Sequence, residues 1–276
     1  MLRAALLTVL LLALGVISAL PGSWALIADP ETQRRLVLWG LPLAALLLSF
    51  LLFPRLLRPA EVAAGRPGRR LLLLSACLVA LLIDQSFLAV GYFTHWATFT
   101  FAESGDALAV KALWGLPACL FLGIWGWERA LRGSLYTGWR RRFPAPAALA
   151  VSIFTGAVLA LPVVLPRGEV PDKAFVAATL AAVLCRELCF ALLFRNGGGL
   201  LVAGLYRGAL LFVEAFVVTD WYGLYSPAFN YVTGGPLFYV VRTACALLAA
   251  GVIVWVTQTS PLLSLARVED TGRKSG

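Results

Sequence analysis

The stretch 174-AFVAATLAAVLCRELCFALLF-194 decides the class of fold. As a helix it is long enough to cross the hydrocarbon core of a bilayer, which takes about 20 mostly apolar residues. Its charged residues, Arg186 and Glu187, stand side by side near the middle. Because a charged side chain at that depth is costly, the two residues predict partners on neighbouring helices or a functional site.

The rest of the chain has the same apolar character. Of its 276 residues, 61% are hydrophobic and 13% are charged, and the mean hydropathy is +0.86. These values exclude a soluble globular domain. The net charge of +9 does not require a nucleic-acid partner, because Arg-rich cytoplasmic loops produce the same excess in a membrane protein. We therefore expect an all-α, polytopic integral membrane protein that binds no nucleic acid.

Eight apolar runs predict transmembrane helices in a single domain over residues 1–276. The runs cover residues 3–20, 36–53, 71–92, 108–127, 145–165, 174–194, 200–219 and 236–258. The first has a basic start and a small-residue end at Ser23 and Ala25, so residues 1–25 are a signal anchor or a cleavable signal peptide. We favour the retained anchor, because the other runs are also short and Leu-rich.

Lysine and arginine are distributed unevenly between the two sets of alternating loops. One set, with the two termini, holds 15 of the 23 basic residues, and the other set holds four. This bias predicts that both termini are cytoplasmic. The short loops and the excess of Arg over Lys indicate the inner (plasma) membrane of a bacterium. We interpret the clusters 66-RPGRR-70 and 139-WRRRF-143 first as topology determinants and second as contacts for anionic lipid headgroups.

The predicted external loops 92-YFTHWATFTFAESGD-106 and 220-DWYGLYSPAFNYVTGG-235 are aromatic. Trp and Tyr are common at a membrane surface, where one end of the side chain is wet and the other apolar. The alternative interpretation is that these loops cap a cavity or dock a partner. Pro227, Gly234 and Gly235 favour an ordered loop.

Neither the cysteines nor the single histidine predicts a metal or a cofactor. The five cysteines lie within predicted spans, and His95 lies in an external loop. Cys185 and Cys189 are one helical turn apart, but they have no further ligand to complete a metal site. The short 197-GGG-199 predicts a tight cytoplasmic turn, because glycine adopts positive φ at no steric cost.

Six charges within the predicted spans form two layers when depth is counted at about 1.5 Å per residue. The inner layer contains Arg186, Glu187 and Arg207, and the outer layer contains Asp84, Glu214 and Arg242. We predict that Glu187 pairs with Arg207, and that Glu214 or Asp84 pairs with Arg242, because a lone buried charge is much costlier than a pair. The same six residues are candidates for a substrate or ion site. The neighbouring 204-GLYRG-208 has the small-xxx-small pattern that lets helices approach closely.

The layout of residues 174–265 resembles the CPBP (or Abi) family of glutamic intramembrane proteases. In that family an EExxxR motif in one span is followed by FxxxH in the next and then by a last helix. Here 186-RELCFALLFR-195, 208-GALLFVEAF-216 and 253-IVWVTQTSPLLSLA-266 occupy the corresponding places. The resemblance implies a helical bundle and candidate catalytic carboxylates at Glu187 and Glu214.

The family motifs are incomplete in this chain. With Glu187 in the place of the second motif glutamate, Arg186 replaces the first and Ala191 replaces the arginine. Glu214 falls near the expected histidine, and no histidine follows His95. A general base needs a positioned partner, so these departures predict a noncatalytic relative.

Three functions are compatible with this pattern. We favour a noncatalytic subunit or scaffold of a membrane complex, in contact with lipids and other membrane subunits. One alternative is a transporter component whose polar pathway is lined by Asp84, Glu214 and Arg242. The other is an active intramembrane protease that uses Glu187 and Glu214.

Overall fold

The computed structural model describes residues 2–20, 36–54, 67–101, 105–164, 173–213, 218–219, 229–233 and 236–259. The α-helices in these ranges are α1 (Leu2–Ala19), α2 (Leu41–Leu52), α3 (Pro67–Phe93), α4 (Gly105–Phe121), α5 (Thr137–Arg140), α6 (Ala145–Val164), α7 (Lys173–Leu193), α8 (Gly199–Phe212) and α9 (Pro236–Thr259). π-Helical segments adjoin them at Leu36–Gly40, Leu122–Tyr136 and Phe194–Gly198. In these segments hydrogen bonds span five residues instead of four, which widens the helix.

The all-α, polytopic membrane class is confirmed. Among the described residues, five helices are long and apolar enough to cross a membrane. They are Leu2–Ala19, Arg70–Phe93, Ala145–Pro162, Val176–Asn196 and Val240–Gln258. The other three predicted spans fall on shorter or more polar helical runs, at Leu36–Leu52, Gly105–Tyr136 and Gly199–Phe212.

Two predicted span boundaries are wrong. The fourth span continues past residue 127 as the π-helix Leu122–Tyr136, so part of the predicted loop 128–144 lies inside the bundle. The seventh span was expected to reach residue 219, but α8 ends at Phe212 and Val218–Thr219 is a short strand. Consecutive β-branched residues favour a strand over the end of a helix.

A small sheet joins the two predicted external loops. Strand β1 (Ala97–Phe101) pairs antiparallel with β3 (Phe229–Thr233), from Ala97 opposite Thr233 to Phe101 opposite Phe229. Strand β2 (Val218–Thr219) pairs parallel with the other edge of β3. Within the two aromatic loops, the described segments Ala97–Phe101 and Phe229–Thr233 are thus strands. Pro227, Gly234 and Gly235, which carried the prediction of an ordered loop, lie outside the described residues.

The two largest apolar packing centres of the described residues define two parts of the bundle, which we call the first half and the second half. The first half contains buried side chains of α1, α2, the π-helix Leu122–Tyr136 and α6. The second half contains buried side chains of α3, α7, α8 and α9. The π-helix Leu122–Tyr136, hereafter the central π-helix, is buried on all sides from Gly126 onward. It packs against α2 and α6 of the first half and against α8 of the second, and so lies between the halves.

Glycines allow α8 to cross the junction of α4 and the central π-helix at backbone contact distance. A Cβ at Gly208 would lie 2.6 Å from Leu120 Cα, and a Cβ at Gly204 would overlap Ile124 Cα. On the facing helix, a Cβ at Gly123 would lie 2.7 Å from Gly208 N. The close approach predicted from 204-GLYRG-208 is therefore confirmed.

Helix α1 is packed into the first half. Leu7 and Leu11 are fully buried there, and Trp139 Nε1 donates a hydrogen bond to Thr8 Oγ1 at 2.9 Å. A Cβ at Gly15 would lie 2.8 Å from the backbone oxygen of Val158 on α6. Loss of α1 would therefore expose the apolar centre of the first half.

The turn predicted at 197-GGG-199 is confirmed. Gly199 has φ of 62° at the junction between the π-helical segment Phe194–Gly198 and α8. This left-handed conformation carries a steric cost for residues with a Cβ, which glycine avoids. The turn reverses the chain and sets α8 against α7.

Candidate functional site

The candidate site is a cluster of four buried charges at the boundary between the two halves. Glu128 and Arg132 belong to the central π-helix, Glu187 to α7 and Arg207 to α8. Their exposed fractions are 0%, 0%, 1% and 5%. We call these residues the four-charge cluster.

Both carboxylate oxygens of Glu187 are held by arginines. Arg132 Nη2 donates to Glu187 Oε2 at 2.7 Å and to the backbone oxygen of Glu187 at 2.9 Å. Arg207 Nη2 lies 2.7 Å from Glu187 Oε1 as an ion pair. Glu187 therefore ties α7 to the central π-helix and to α8.

Glu128 closes the cluster on its other side. Its Oε1 accepts from Arg207 Nε at 2.8 Å and from Arg132 Nη1 at 3.4 Å. Two carboxylates and two guanidinium groups thus alternate, and their formal charges sum to zero. Glu128 Oε2 is buried and accepts no hydrogen bond from the described residues.

Neighbouring residues shape the space that the cluster occupies. Gly156 of α6 makes room for Glu187, because a Cβ at this position would lie 2.7 Å from Glu187 Cδ and would overlap Oε2. Ser152 Oγ, one turn earlier, donates to the backbone oxygen of Leu131 at 2.9 Å and fixes α6 against the central π-helix. On the other side, the Arg207 guanidinium stacks 4.1 Å from the Phe190 ring centroid.

A second group of buried charges lies within the second half. Arg186 Nη2 and Nε donate to the two oxygens of Asp84, at 2.7 Å and 3.2 Å. Gln85 Nε2 also donates to Asp84 Oδ2, at 2.8 Å. The two hydrogen bonds between Arg186 and Asp84 join α7 to α3, and such a two-point contact fixes the orientation of both side chains.

The adjacency of Arg186 and Glu187 now has a physical explanation. Successive residues of an α-helix point about 100° apart. From α7, Arg186 therefore reaches α3, whereas Glu187 reaches the central π-helix and α8. Each residue has an oppositely charged partner in its own direction.

Of the ion pairs predicted from the sequence, one is confirmed and one alternative is wrong. The expected contact between Glu187 and Arg207 is present at 2.7 Å. The alternative that paired Asp84 with Arg242 is wrong, because the oxygens of Asp84 are bound by Arg186 and Gln85. Arg242 is buried with its guanidinium carbon 5.6 Å from the Phe87 ring centroid. The other alternative, Glu214 with Arg242, lies outside the described residues.

The predicted separation of Asp84 and Arg186 into two layers is also wrong. At about 1.5 Å per residue, Asp84 lies about 4 Å to one side of the middle of its predicted span, and Arg186 lies about 3 Å to the other side of its own. The long arginine side chain bridges that difference. Counting backbone depth alone therefore placed two contacting residues in separate layers.

Glu128, Arg129 and Arg132 were missed by the sequence interpretation. They follow the apolar run that ends at Trp127, and their charges made 128–144 resemble a basic loop. All three are fully buried. The Glu-x-x-x-Arg spacing of Glu128 and Arg132, which allows a contact along one helix, is the signal that could have found them.

Metal ligands do not come together in the described ranges. No group of three His, Cys, Asp or Glu side chains there is arranged to hold a metal ion. Cys185 and Cys189 are free thiols on α7.

Comparison with known proteins adds no family to these observations. The chain matches no protein-family model, no curated protein and no solved structure. The fold and the buried charges define a class, that of helical membrane proteins with a polar core. Function within that class has to be inferred from the charges and their surroundings.

Proposed function

We propose that this chain is a noncatalytic subunit or scaffold of a protein complex in the inner (plasma) membrane of a bacterium, with both termini in the cytoplasm. The observation that carries the proposal is that both oxygens of Glu187 lie in ion pairs, Oε2 with Arg132 and Oε1 with Arg207. The bound charges neutralise one another inside the bundle. Such an arrangement fits a structural role in positioning helices.

The same contacts argue against general-base catalysis at Glu187. A general base must accept a proton from a water molecule or a substrate within hydrogen-bonding reach. Oε2 of Glu187 accepts a hydrogen bond from Arg132, Oε1 lies 2.7 Å from Arg207 Nη2 in an ion pair, and the side chain is buried. His95, the one imidazole of the sequence, is exposed and lies beyond the end of α3.

The outer faces of the helices supply the surface for partners. Exposed apolar side chains on α3 and α9 include Leu71, Leu78, Leu82, Leu247, Leu248 and Trp255. In a membrane, such faces contact lipid or the helices of other subunits. We expect both kinds of contact in the complex.

One observation favours a second candidate function, an intramembrane protease of the CPBP type. Glu128 places a second carboxylate against the same two arginines that bind Glu187, and its Oε2 has no hydrogen-bond donor among the described residues. This free oxygen could hold a water molecule. A transporter pathway along Asp84, Glu214 and Arg242 has less support, because Asp84 is engaged by Arg186.

Copurification tests the proposed subunit role. The tagged chain is extracted from native membranes in mild detergent, and the companion polypeptides are quantified by mass spectrometry. A subunit should bring down the same partners at a fixed ratio after washing. A chain that purifies alone in several detergents, and that crosslinks to no membrane protein before extraction, would contradict the proposal.

The variant Glu128→Gln separates the two candidate functions. It removes the free carboxylate oxygen and retains the side-chain volume. For a noncatalytic subunit, membrane polypeptides should keep their cleavage state as long as the variant remains folded. For a protease, an uncleaved substrate should accumulate. A second variant, Glu187→Gln, should also stop cleavage by a protease that uses both carboxylates.

A further inference from the structure

Arg129 is a buried charge that the four-charge cluster and the Asp84–Arg186 pair both leave out. Its exposed fraction is 0%. Its Nη2 donates to the backbone oxygen of Phe53 at 3.5 Å, the limit of a hydrogen bond, and its Cζ lies 3.9 Å from the Phe50 ring centroid. Nε and Nη1 have no hydrogen-bond partner among the described residues.

This arrangement calls for an anionic ligand. A guanidinium group remains charged, and a buried charge without a counter-ion is strongly unfavourable. Arg132, on the same π-helix, contacts two carboxylates, whereas no described carboxylate forms an ion pair with Arg129. A phosphate has several acceptor oxygens and can bind more than one guanidinium nitrogen at once.

The position of Arg129 in the fold indicates where such a ligand comes from. Phe53 ends α2, and a Cβ at Gly138 of α5 would lie 3.2 Å from its ring, so the end of α2 and α5 lie side by side. The exposed Arg140, Arg141 and Arg142 follow directly at the same end of the bundle. Exposed arginines beside a membrane surface attract anionic headgroups.

The side of α2 next to Arg129 is suited to an acyl chain. Phe50 is partly exposed, and its ring covers the Arg129 guanidinium. Leu47 and Leu51 are 63% and 76% exposed on the same helix. Residues three and four apart share one helix face, so Leu47, Phe50 and Leu51 form an apolar surface that leads toward the buried cation.

We propose that Arg129 binds the phosphate of an acidic phospholipid, which enters past the Phe50 ring while its acyl chain lies along Leu47 and Leu51. The phosphate accepts hydrogen bonds from the guanidinium nitrogens that lack a protein partner. Arg140, Arg141 and Arg142 raise the local concentration of such lipids. The site is independent of the four-charge cluster and of the proposed subunit role.

Lipid binding by the full-length chain tests this site. The delipidated protein in detergent is titrated with phosphatidylglycerol or with phosphatidylcholine, and bound lipid is counted by native mass spectrometry. We expect one phosphatidylglycerol to bind more tightly than phosphatidylcholine. Arg129→Gln should weaken that binding by about tenfold or more, since it removes a buried charge contact.

The control variant is Lys173→Gln, which removes an exposed positive charge from the start of α7. It should change phosphatidylglycerol binding by less than about twofold, as expected for an exposed charge. Equal binding of the two lipids by the unsubstituted protein would overturn the proposal, whether or not Arg129→Gln folds. Equal stabilisation of the lipid-free protein by inorganic phosphate would overturn the assignment to a lipid.

Discussion

The four-charge cluster and the Asp84–Arg186 pair bury charge in different ways. In the four-charge cluster each glutamate contacts two arginines, and the contacts connect the central π-helix with α7 and α8. In the pair, the Asp84 carboxylate binds the Arg186 guanidinium, and this contact joins α3 to α7 within the second half. The cluster therefore aligns the two halves of the bundle, whereas the pair aligns two neighbouring helices of one half.

This difference determines what the loss of one partner does. Removing one arginine from the four-charge cluster leaves two carboxylates facing a single guanidinium in the fully buried boundary. Removing Asp84 takes one partner from Arg186, whose side chain is 9% exposed and can shift toward solvent or headgroups. We therefore expect the loss of one charged partner to lower the free energy of unfolding more in the four-charge cluster than in the Asp84–Arg186 pair.

The largest effect is expected for Arg132→Met. The change leaves Glu128 and Glu187 in excess by one charge and removes the contact between the central π-helix and α7. We expect a loss of about 4 kcal/mol in the free energy of unfolding, as for other broken buried ion pairs. Thermal unfolding in detergent, with size-exclusion chromatography of the folded fraction, measures it.

The matched control for this change is Arg140→Met, an exposed arginine at the end of α5. It should change the free energy of unfolding by about 0.5 kcal/mol or less, as is usual at the surface. Equal losses for the two variants would mean that the four-charge cluster does not hold the halves together.

A somewhat smaller effect is expected for Asp84→Leu. The variant removes the Asp84 contacts of Arg186, and we expect a loss of about 3 kcal/mol. The double variant Asp84→Leu with Arg186→Met removes both members of the pair. A double-mutant cycle measures the coupling, and simple additivity of the two changes would contradict the ion pair.

An intermediate effect is expected for Gly156→Ala, which disturbs the four-charge cluster without removing a charge. The new methyl group would overlap the Glu187 carboxylate and push it away from Arg132. We expect a loss of about 1–3 kcal/mol from overpacking, measured by thermal unfolding. Gly251→Ala on α9 is the control, because its Cβ would meet nothing within 4 Å. Alanine there should raise stability by about 0.5–1 kcal/mol, through its better helix propensity.

The smallest effect is expected for Trp139→Phe, which removes the hydrogen bond to Thr8 on α1. We expect a loss of about 1 kcal/mol, the usual net value of one hydrogen bond. Because Thr8→Val removes the same bond from the other side, the double variant should cost little more than either single one. An intact-mass measurement that finds the purified chain without α1 would contradict the packing of this helix.

Much of the architecture could be predicted because lipid imposes simple rules. A span must be apolar over about 20 residues, and this marked all the long helices. The cost of a lone charge in lipid identified Arg186, Glu187, Arg207, Asp84 and Arg242 as residues that need neighbours. The contact between Glu187 and Arg207 followed from the same rule, since the two residues lie at similar depth on consecutive helices.

The rest of the site could not be predicted because charged residues are usually exposed, so a buried charged segment is easily mistaken for a loop. Glu128, Arg129 and Arg132 look like a loop to any rule that equates charge with exposure. They are buried because α2, α6 and α8 enclose the central π-helix. Two of the three charges are neutralised by residues of other helices, Arg132 by Glu187 and Glu128 by Arg207. No local pattern of residues 128–132 contains that information.

Sequence alone was enough to establish a polytopic helical membrane protein, its main spans and the need to pair its intramembrane charges. Each of these follows from the free energy of placing side chains in lipid, which depends on residue type and on position along one helix. The choice of partners came from tertiary structure: Arg186 with Asp84, Glu187 with Arg132 and Arg207, and Arg129 with no described carboxylate. Partner choice depends on how helices rotate and cross, and close contacts at Gly156, Gly204 and Gly208 set that geometry in three dimensions.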